Sequence, residues 1–292
     1  MLIFKILKLI VSHPLNKKRK TNAVVRFVKW QINSKLNPYP IIFPFAEKSK
    51  LIIWKGLTGA TGNLYCGLHE FQDMAFVLHF LRDSDTFIDI GANIGSYTIL
   101  GASEVGAETI SIEPIPDTFK ILEENIIINK INNKVKSLNI GVGGEKGLLK
   151  FTKSLDTTNH VAKNDEKNTI DVPVEKFDDI IDLKKPTLVK IDVEGFETEV
   201  LNGMSSSLSN DNLKAIIIEL NGAGKRYGYN DDDIHKKLLS HKFSAFKYEP
   251  FIRKLEKIEG YGTHNTIYIK DVEFAKGRIM TAKRIKIRNQ DF

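Results

Sequence analysis

The sequence predicts an α/β protein, a mostly parallel sheet with helices on both faces. Three observations predict it. From residue 86 onward, short apolar runs alternate with helical patterns, the order that builds parallel sheets. The 292 residues, 42% hydrophobic and 27% charged, suffice for one large α/β domain and an extension. The last two apolar runs have no helix between them, which predicts an antiparallel pair.

The first fifty residues read as two helices and an extended path. MLIFKILKLIV is apolar but interrupted by Lys5 and Lys8, and it is far short of the ~18 residues of a membrane span. No small-residue cleavage site follows, so no signal peptide is expected. A short amphipathic helix is expected, capping the domain or lying on a membrane surface. Between residues 22 and 36, Val24, Phe27, Val28 and Ile32 recur at helical spacing. Pro38, Pro40 and Pro44 then force extended backbone. KLIIWKG (50–56) reads as a strand, and the glycine-rich GLTGATGNLYCG (56–67) as a loop or hairpin turn. Residues 68–85 read as a helix with its apolar face at Phe71, Met74, Val77, Leu78 and Leu81.

The regular part starts with the strand TFIDI (86–90) and the helix GSYTILGASEV. TISIEP (109–114) is the second strand, followed by a helix over 116–129. VKSLNIGVGG (135–144) is the third strand. LLKFTKS and IDVPVEKFDDII interrupt with extra strand-like material and a short helix. TLVKIDVEG (187–195) and LKAIIIELN (213–221) are the fourth and fifth strands. A helix over 231–241 precedes the closing strands FSAFKYE and NTIYIKD. No internal repeat interrupts this order.

Phe87–Leu100, FIDIGANIGSYTIL, ends an apolar strand in an aspartate, two glycines and an asparagine. In parallel sheets, ligands bind outside the carboxyl ends of the strands. Gly91 and Gly95 let the backbone approach a ligand, and the helix starting near Gly95 offers unpaired N–H groups. A nicotinamide dinucleotide asks for G-x-G-x-x-G, and Asn93 stands at the middle glycine. Asp89 adds negative charge that disfavours a pyrophosphate and suits the cationic S-adenosylmethionine. Glu113 ends the second strand 22 residues after Gly91; its carboxylate can accept both ribose hydroxyls of either cofactor class. Asp192 and Glu194 end the fourth strand, and Glu219 and Asn221 the fifth. Carboxylates converging from several strand tips suggest a polar active site.

These stretches, together with ISIEPIPDTFKILEENI, the GVGG after the third strand and above all VKIDVEGFETEVLNGM, resemble the FkbM family of S-adenosylmethionine-dependent methyltransferases. The resemblance runs from about Asn63 to about Lys270. It implies a Rossmann-like class I methyltransferase fold, with a mostly parallel seven-stranded sheet, an antiparallel last strand and a helical and extended N-terminal extension. It implies methyl transfer to a hydroxyl of a sugar, glycan or small metabolite. By motif position, Asp89, Gly91, Asn93 and Gly95 would line the methionine half of the donor, Glu113 would hold its ribose, and Gly141 and Val142 would border its adenine. Asp192 and Glu194 would stand at the reacting end. The chain then divides into an extension and cap (1–62), a methyltransferase domain (63–275) and a basic tail (276–292).

An alcohol acceptor loses a proton, so a base is expected. Asp192 and Glu194 have the best position, with His264, Glu219 and His69 as further candidates. Tyr65, His69 and Glu70 are expected to form a lid. A divalent metal is not favoured, since the acids can pair with lysine or arginine; if one binds, Asp192, Glu219 and Asn221 are its expected ligands. A NAD(P)-dependent oxidoreductase or epimerase is the alternative, weakened by Asn93 and by the lack of a Tyr-x-x-x-Lys pair. A nucleic-acid methyltransferase lacks an N-P-P-Y-type tetrad and a stacking platform, and the acid-rich strand tips argue against a non-catalytic binding module. The net charge of +7 gathers in Lys17–Lys20 and in Lys283, Arg284, Lys286 and Arg288. The expected partner is a hydroxylated small molecule or glycan, with a weak peripheral membrane contact and no nucleic acid. The one cysteine, Cys66, fits a reducing compartment such as the cytoplasm.

Overall fold

The computed structural model describes residues 2–163, 165–181 and 185–292, so Met1 of the apolar N-terminal stretch lies outside the described residues. That stretch forms α1 (Leu2–Ser12), and α2 (Lys20–Leu36) follows a basic turn. Ile10 is buried against Ala23 and Phe27, which joins the two helices. The prolines give way to β1 (Ile41–Pro44), an antiparallel partner of β2 (Lys50–Ile53).

Residues 58–66 form a helix, α3 (Thr58–Cys66), where glycine content predicts a loop or turn. Packing overrides propensity here. A Cβ on Gly59 would lie 2.9 Å from Asn93 Oδ1, and one on Gly62 2.7 Å from the His69 ring. The glycines let α3 lie close on its neighbours. The next helix, α4 (Phe71–Phe80), starts later and ends sooner than the apolar pattern suggests.

The regular part follows as β3 (Thr86–Ile90), α5 (Ser96–Ile99, continued by a wider turn to Val105), β4 (Glu108–Ile112), α6 (Pro116–Ile128) and β5 (Val135–Leu138). The expected third strand is broken after Leu138. Its second half is β6 (Gly141–Gly143), which leaves the main sheet and pairs with β8 (Thr169–Lys176), itself paired with β7 (Gly147–Thr152). The Asn139 side chain holds the break by donating to the carbonyls of Glu113 (2.8 Å) and Pro114 (3.0 Å). Then come α7 (Phe177–Ile181), β9 (Leu188–Ile191), α8 (Glu197–Asn202), α9 (Ser205–Ser209), β10 (Ala215–Glu219) and α10 (Asp231–Ser240). The chain closes with β11 (Ser244–Glu249), β12 (Lys254–Lys257), β13 (Asn265–Ile269), α11 (Val272–Thr281), β14 (Lys286–Ile287) and β15 (Gln290–Asp291).

The main sheet has eight strands, in the order β12-β11-β13-β10-β9-β3-β4-β5. From β10 to β5 every pairing is parallel, while β13 runs antiparallel to both β10 and β11, as predicted. The eighth strand, β12, is a hairpin extension of β11 within a segment read as a connection.

Alternation along the strands sorts the side chains onto two faces. Ile88, Ile90, Val189, Ile191, Ile216 and Ile218 pack on one face against Val200, Leu201 and Met204. The other face carries Phe87, Leu188 and Ile217, packed under α4 and α5, but also a polar row. Asp89 stands in register between Ser111 and Lys190 in that row. This row reaches the carboxyl ends of the strands and becomes the site.

Residues 276–292 pack onto the body, where a basic tail is expected. Ile279, Ile287 and Phe292 are buried in the main core. Gln290 Nε2 donates to the Leu15 carbonyl, and Arg288 to the Leu64 carbonyl at 2.6 Å. Three apolar residues among the basic ones suffice to anchor the segment. Among the described residues, no helix is long and apolar enough to cross a membrane.

Candidate active site

The turn after β3 is shaped by contacts with β9 and β4. Gly91 has φ +74°, and a Cβ there would lie 1.8 Å from the Asp192 carbonyl oxygen. The turns after β3 and β9 therefore touch backbone to backbone. Asn93 takes φ +51°, a left-handed conformation that asparagine supports by accepting from the next N–H, here Ile94 at 2.8 Å. Every N–H of the turn is paired within the protein. Gly91 and Ala92 donate to the Ile112 carbonyl, each at 2.9 Å, and Gly95 to the Ala92 carbonyl at 2.8 Å. Asn93 N donates to Glu113 Oε2 at 2.9 Å.

Glu113 is buried and also accepts from Ile115 N at 2.9 Å. Burial pushes its carboxyl up to about 7 against the pull of these two N–H groups. Glu113 lines a cavity of about 330 Å³, and each of its oxygens accepts only one backbone N–H where a carboxylate oxygen can accept two. Gly91, Asn93, Glu113, Gly141 and Val142 line this cavity, as do Asp192, Glu194 and Glu219. Phe151 of β7 and Phe196 also line it, and α3 contributes Thr58, Gly59 and Asn63. Asn63 ties α3 down by donating to Ser96 Oγ (3.0 Å) and accepting from His69 N (2.9 Å).

Asp192, Glu194 and Glu219 form the acidic end. One oxygen from each lies within 4.8 Å of the others. Burial, then Asp192, pushes Glu194 up to about 7. Burial, then Asp192 and Glu194, pushes Glu219 up to about 8. Behind them Glu197 accepts from Val193 N (3.2 Å) and Gly195 N (3.1 Å), which fixes the turn after β9.

Lys190 brings a positive charge to the cavity wall and is not among the residues the sequence predicts for the site. It is 2% exposed; its Nζ lies 2.9 Å from Asp192 Oδ2 and 4.8 Å from the centre of the Tyr97 ring. Burial alone would lower its affinity for a proton, but Asp192, Asp89 and Glu70 outweigh burial and hold the ammonium charged. A signal was available, because residues 190 and 192 point to the same side of a strand and a lone lysine in an apolar strand needs a partner. Glu70, also on the cavity wall, accepts from Asn265 Nδ2 at 2.7 Å.

Five expected placements are corrected. Asp89 points under α5 and does not line the cavity; its Oδ2 accepts from Thr98 N (2.9 Å) and Oγ1 (2.7 Å), and burial pushes its carboxyl up. Gly95 starts α5 at φ +91° against Leu122 and likewise stands off the cavity. His264 is exposed and outside the cavity, since it precedes β13 and turns to solvent. Asn221 Oδ1 accepts from Ala223 N (2.8 Å) in the turn after β10 and Asn221 does not line the cavity, whereas Glu194 stands there with Asp192 and Glu219. Tyr65 packs on Phe27 and its hydroxyl accepts from Gln31 at 2.9 Å; His69 and Glu70 alone of the expected lid line the cavity.

Comparison with known proteins adds the family. The Methyltransferase FkbM domain matches residues 89–245, inside the span of the resemblance. The hexuronic acid methyltransferase AglP of Haloferax volcanii is 29% identical over 179 residues, covering 60% of this chain and 70% of that protein. Methyltransferase 1 of Beauveria bassiana is 27% identical over 176 residues, covering 51% of this chain and 70% of its own. Methyltransferase sdnD of Sordaria araneosa is 25% identical over 170 residues, covering 46% and 66%. The family match spans more than half of the chain, and with the glycine turn, Glu113 after β4 and the acidic strand tips it leaves one assignment: the chain belongs to the FkbM-domain methyltransferases and is an S-adenosylmethionine-dependent enzyme.

Proposed function

We propose that the enzyme methylates a hydroxyl of a sugar or glycan, with the donor in the cavity over β3, β4 and β9. The observation that carries this reading is the fully paired glycine turn beside Glu113. A pyrophosphate needs free N–H groups at such a turn, and Gly91 to Gly95 have none to give. A ribose needs hydrogen-bond acceptors, and Glu113 supplies them. The relative that acts on hexuronic acid supports a sugar acceptor.

When bound, S-adenosylmethionine supplies an electrophilic methyl group on a cationic sulfur. Glu113 would hold the ribose hydroxyls, while Gly141 and Val142 would wall the adenine. Glu113→Gln is expected to weaken S-adenosylhomocysteine binding by about tenfold or more, because hydrogen bonds to a charged group contribute about 1.5–3 kcal/mol each. Calorimetry on the variant checks this, and unchanged affinity would remove Glu113 from the ribose.

At the reacting end, Glu194 takes the proton of the acceptor hydroxyl onto a carboxylate oxygen, and Glu219 shares it. Asp192 is held in place by Lys190. A carboxylate near 7 is matched to this task at neutral pH. Activity should rise with pH through about 7 to 8 as Glu194 and Glu219 lose their protons. Stability moves the other way. Both carboxyls bind protons more tightly folded than unfolded, so stability present at pH 4.5 is lost as pH rises toward about 8. Glu194→Gln should cost ~10²–10⁴-fold in kcat with little change in S-adenosylhomocysteine affinity, and should flatten both pH curves. A pH–rate profile unchanged by the substitution would assign the base elsewhere.

The acidic trio has the hard oxygens of a divalent-metal site. The Lys190 ammonium already supplies a positive charge there, so we assign no metal, and EDTA should leave the rate unchanged. A reducing compartment such as the cytoplasm suits Cys66, whose thiol is buried and pushed up to about 11 by burial.

A further inference from the structure

Residues 1–46 carry nine of the 43 lysines and arginines and none of the 36 aspartates and glutamates. The remaining 34 basic residues against 36 acidic ones leave a net charge of −2, so the extension, at +9, is the larger of the two basic ends of the chain. A block of one sign on two helices implies an oppositely charged partner.

The helices also carry apolar surface away from the core. On α2, Ala23, Phe27 and Trp30 are buried. Val25, Val28, Ile32 and Leu36 form a second stripe, between 45% and 78% exposed. At helical spacing this stripe lies on the opposite side of α2 from the buried one. Lys29 and Lys35 flank it, both exposed. On α1, Ile3 and Phe4 are 61% and 78% exposed. Contiguous apolar surface of this kind marks an interaction site. A nucleic acid would match the charge but leave the stripe in water. A bilayer with anionic headgroups matches both.

We infer that α1 and α2 dock the enzyme on an anionic membrane surface, with the second stripe in the headgroup layer and the lysines over lipid phosphates. The inference stands independently of donor and acceptor. Its geometry bears on the site all the same: α2 meets α3 through Gln31 Nε2, which donates to Tyr65 Oη at 2.9 Å, and α3 covers the cavity. The docked face is one helix away from the cavity.

Cosedimentation of the full chain with phosphatidylglycerol–phosphatidylcholine vesicles tests this, with pure phosphatidylcholine vesicles as the comparison. The anionic vesicles should retain the protein at least about tenfold better, and salt should release it. V28E combined with I32E should lower retention by about tenfold or more while the melting temperature stays put, since both side chains are exposed. Equal retention by the variant, or no retention of the wild type, overturns the inference. Binding to duplex RNA without binding to vesicles would also overturn it, as would a dimer lost in the variant without vesicle binding.

Discussion

Replacing Lys190 with methionine is expected to lower the melting temperature at pH 8 by on the order of 10 °C. The ammonium is buried between Asp192, 2.9 Å away, and Asp89, its neighbour in register on β3. Asp89 is 1% exposed, and its Oδ1 has no hydrogen-bond partner. Removing one member of a buried charge cluster costs about 3–5 kcal/mol because the other charges stay behind. The sign of the pH dependence identifies the mechanism. Without Lys190 the buried Asp89 carboxyl holds its proton to higher pH when folded, so the variant's deficit should shrink as pH falls toward 5. A deficit equal at both pH values would reduce the role of Lys190 to filling space. Asp192 also loses its tether in this variant, so the rate should fall with the stability.

Gly91→Ala is expected to cost at least about 10²-fold in kcat/KM. The added Cβ would stand 1.8 Å from the Asp192 carbonyl oxygen, and the backbone is at φ +74°. The obstructing atoms are backbone, the Asp192 carbonyl oxygen and, at 2.8 Å, its carbon, so the turns after β3 and β9 must separate. That movement pulls Asp192 and the acidic end away from the donor side, and a shift of about 1 Å at a reacting centre has an effect of this size. Steady-state kinetics measure it, with circular dichroism checking the fold. A variant within a few-fold of wild type would show that the touching turns do not position the chemistry.

Much of the sheet is legible in the sequence, because runs such as TFIDI and AIIIE are mostly apolar and bounded by turn residues. Elements set by tertiary contacts are less so. The helix α3 is built from glycines whose small size matters only because Asn93 and His69 lie against them. The break between β5 and β6 depends on a side chain, Asn139, that reaches across to β4. At the site, Gly91, Asn93, Glu113, Asp192, Glu194 and Glu219 were legible as strand-end residues, and all six line the cavity. Asp89 and His264 were misplaced for different reasons. The position of Asp89 depends on which sheet face α5 covers, and that of His264 on the direction of a loop. Lys190 was missed because a lysine inside an apolar run reads as strand interior until its partners are placed around it.

We propose that the paired turn beside Glu113 holds the methyl donor and not a dinucleotide. Titration calorimetry of the wild-type protein with S-adenosylhomocysteine, and in parallel with NAD, tests it most directly. One site for S-adenosylhomocysteine and no heat with NAD is the predicted result; binding of NAD with none of S-adenosylhomocysteine would contradict it.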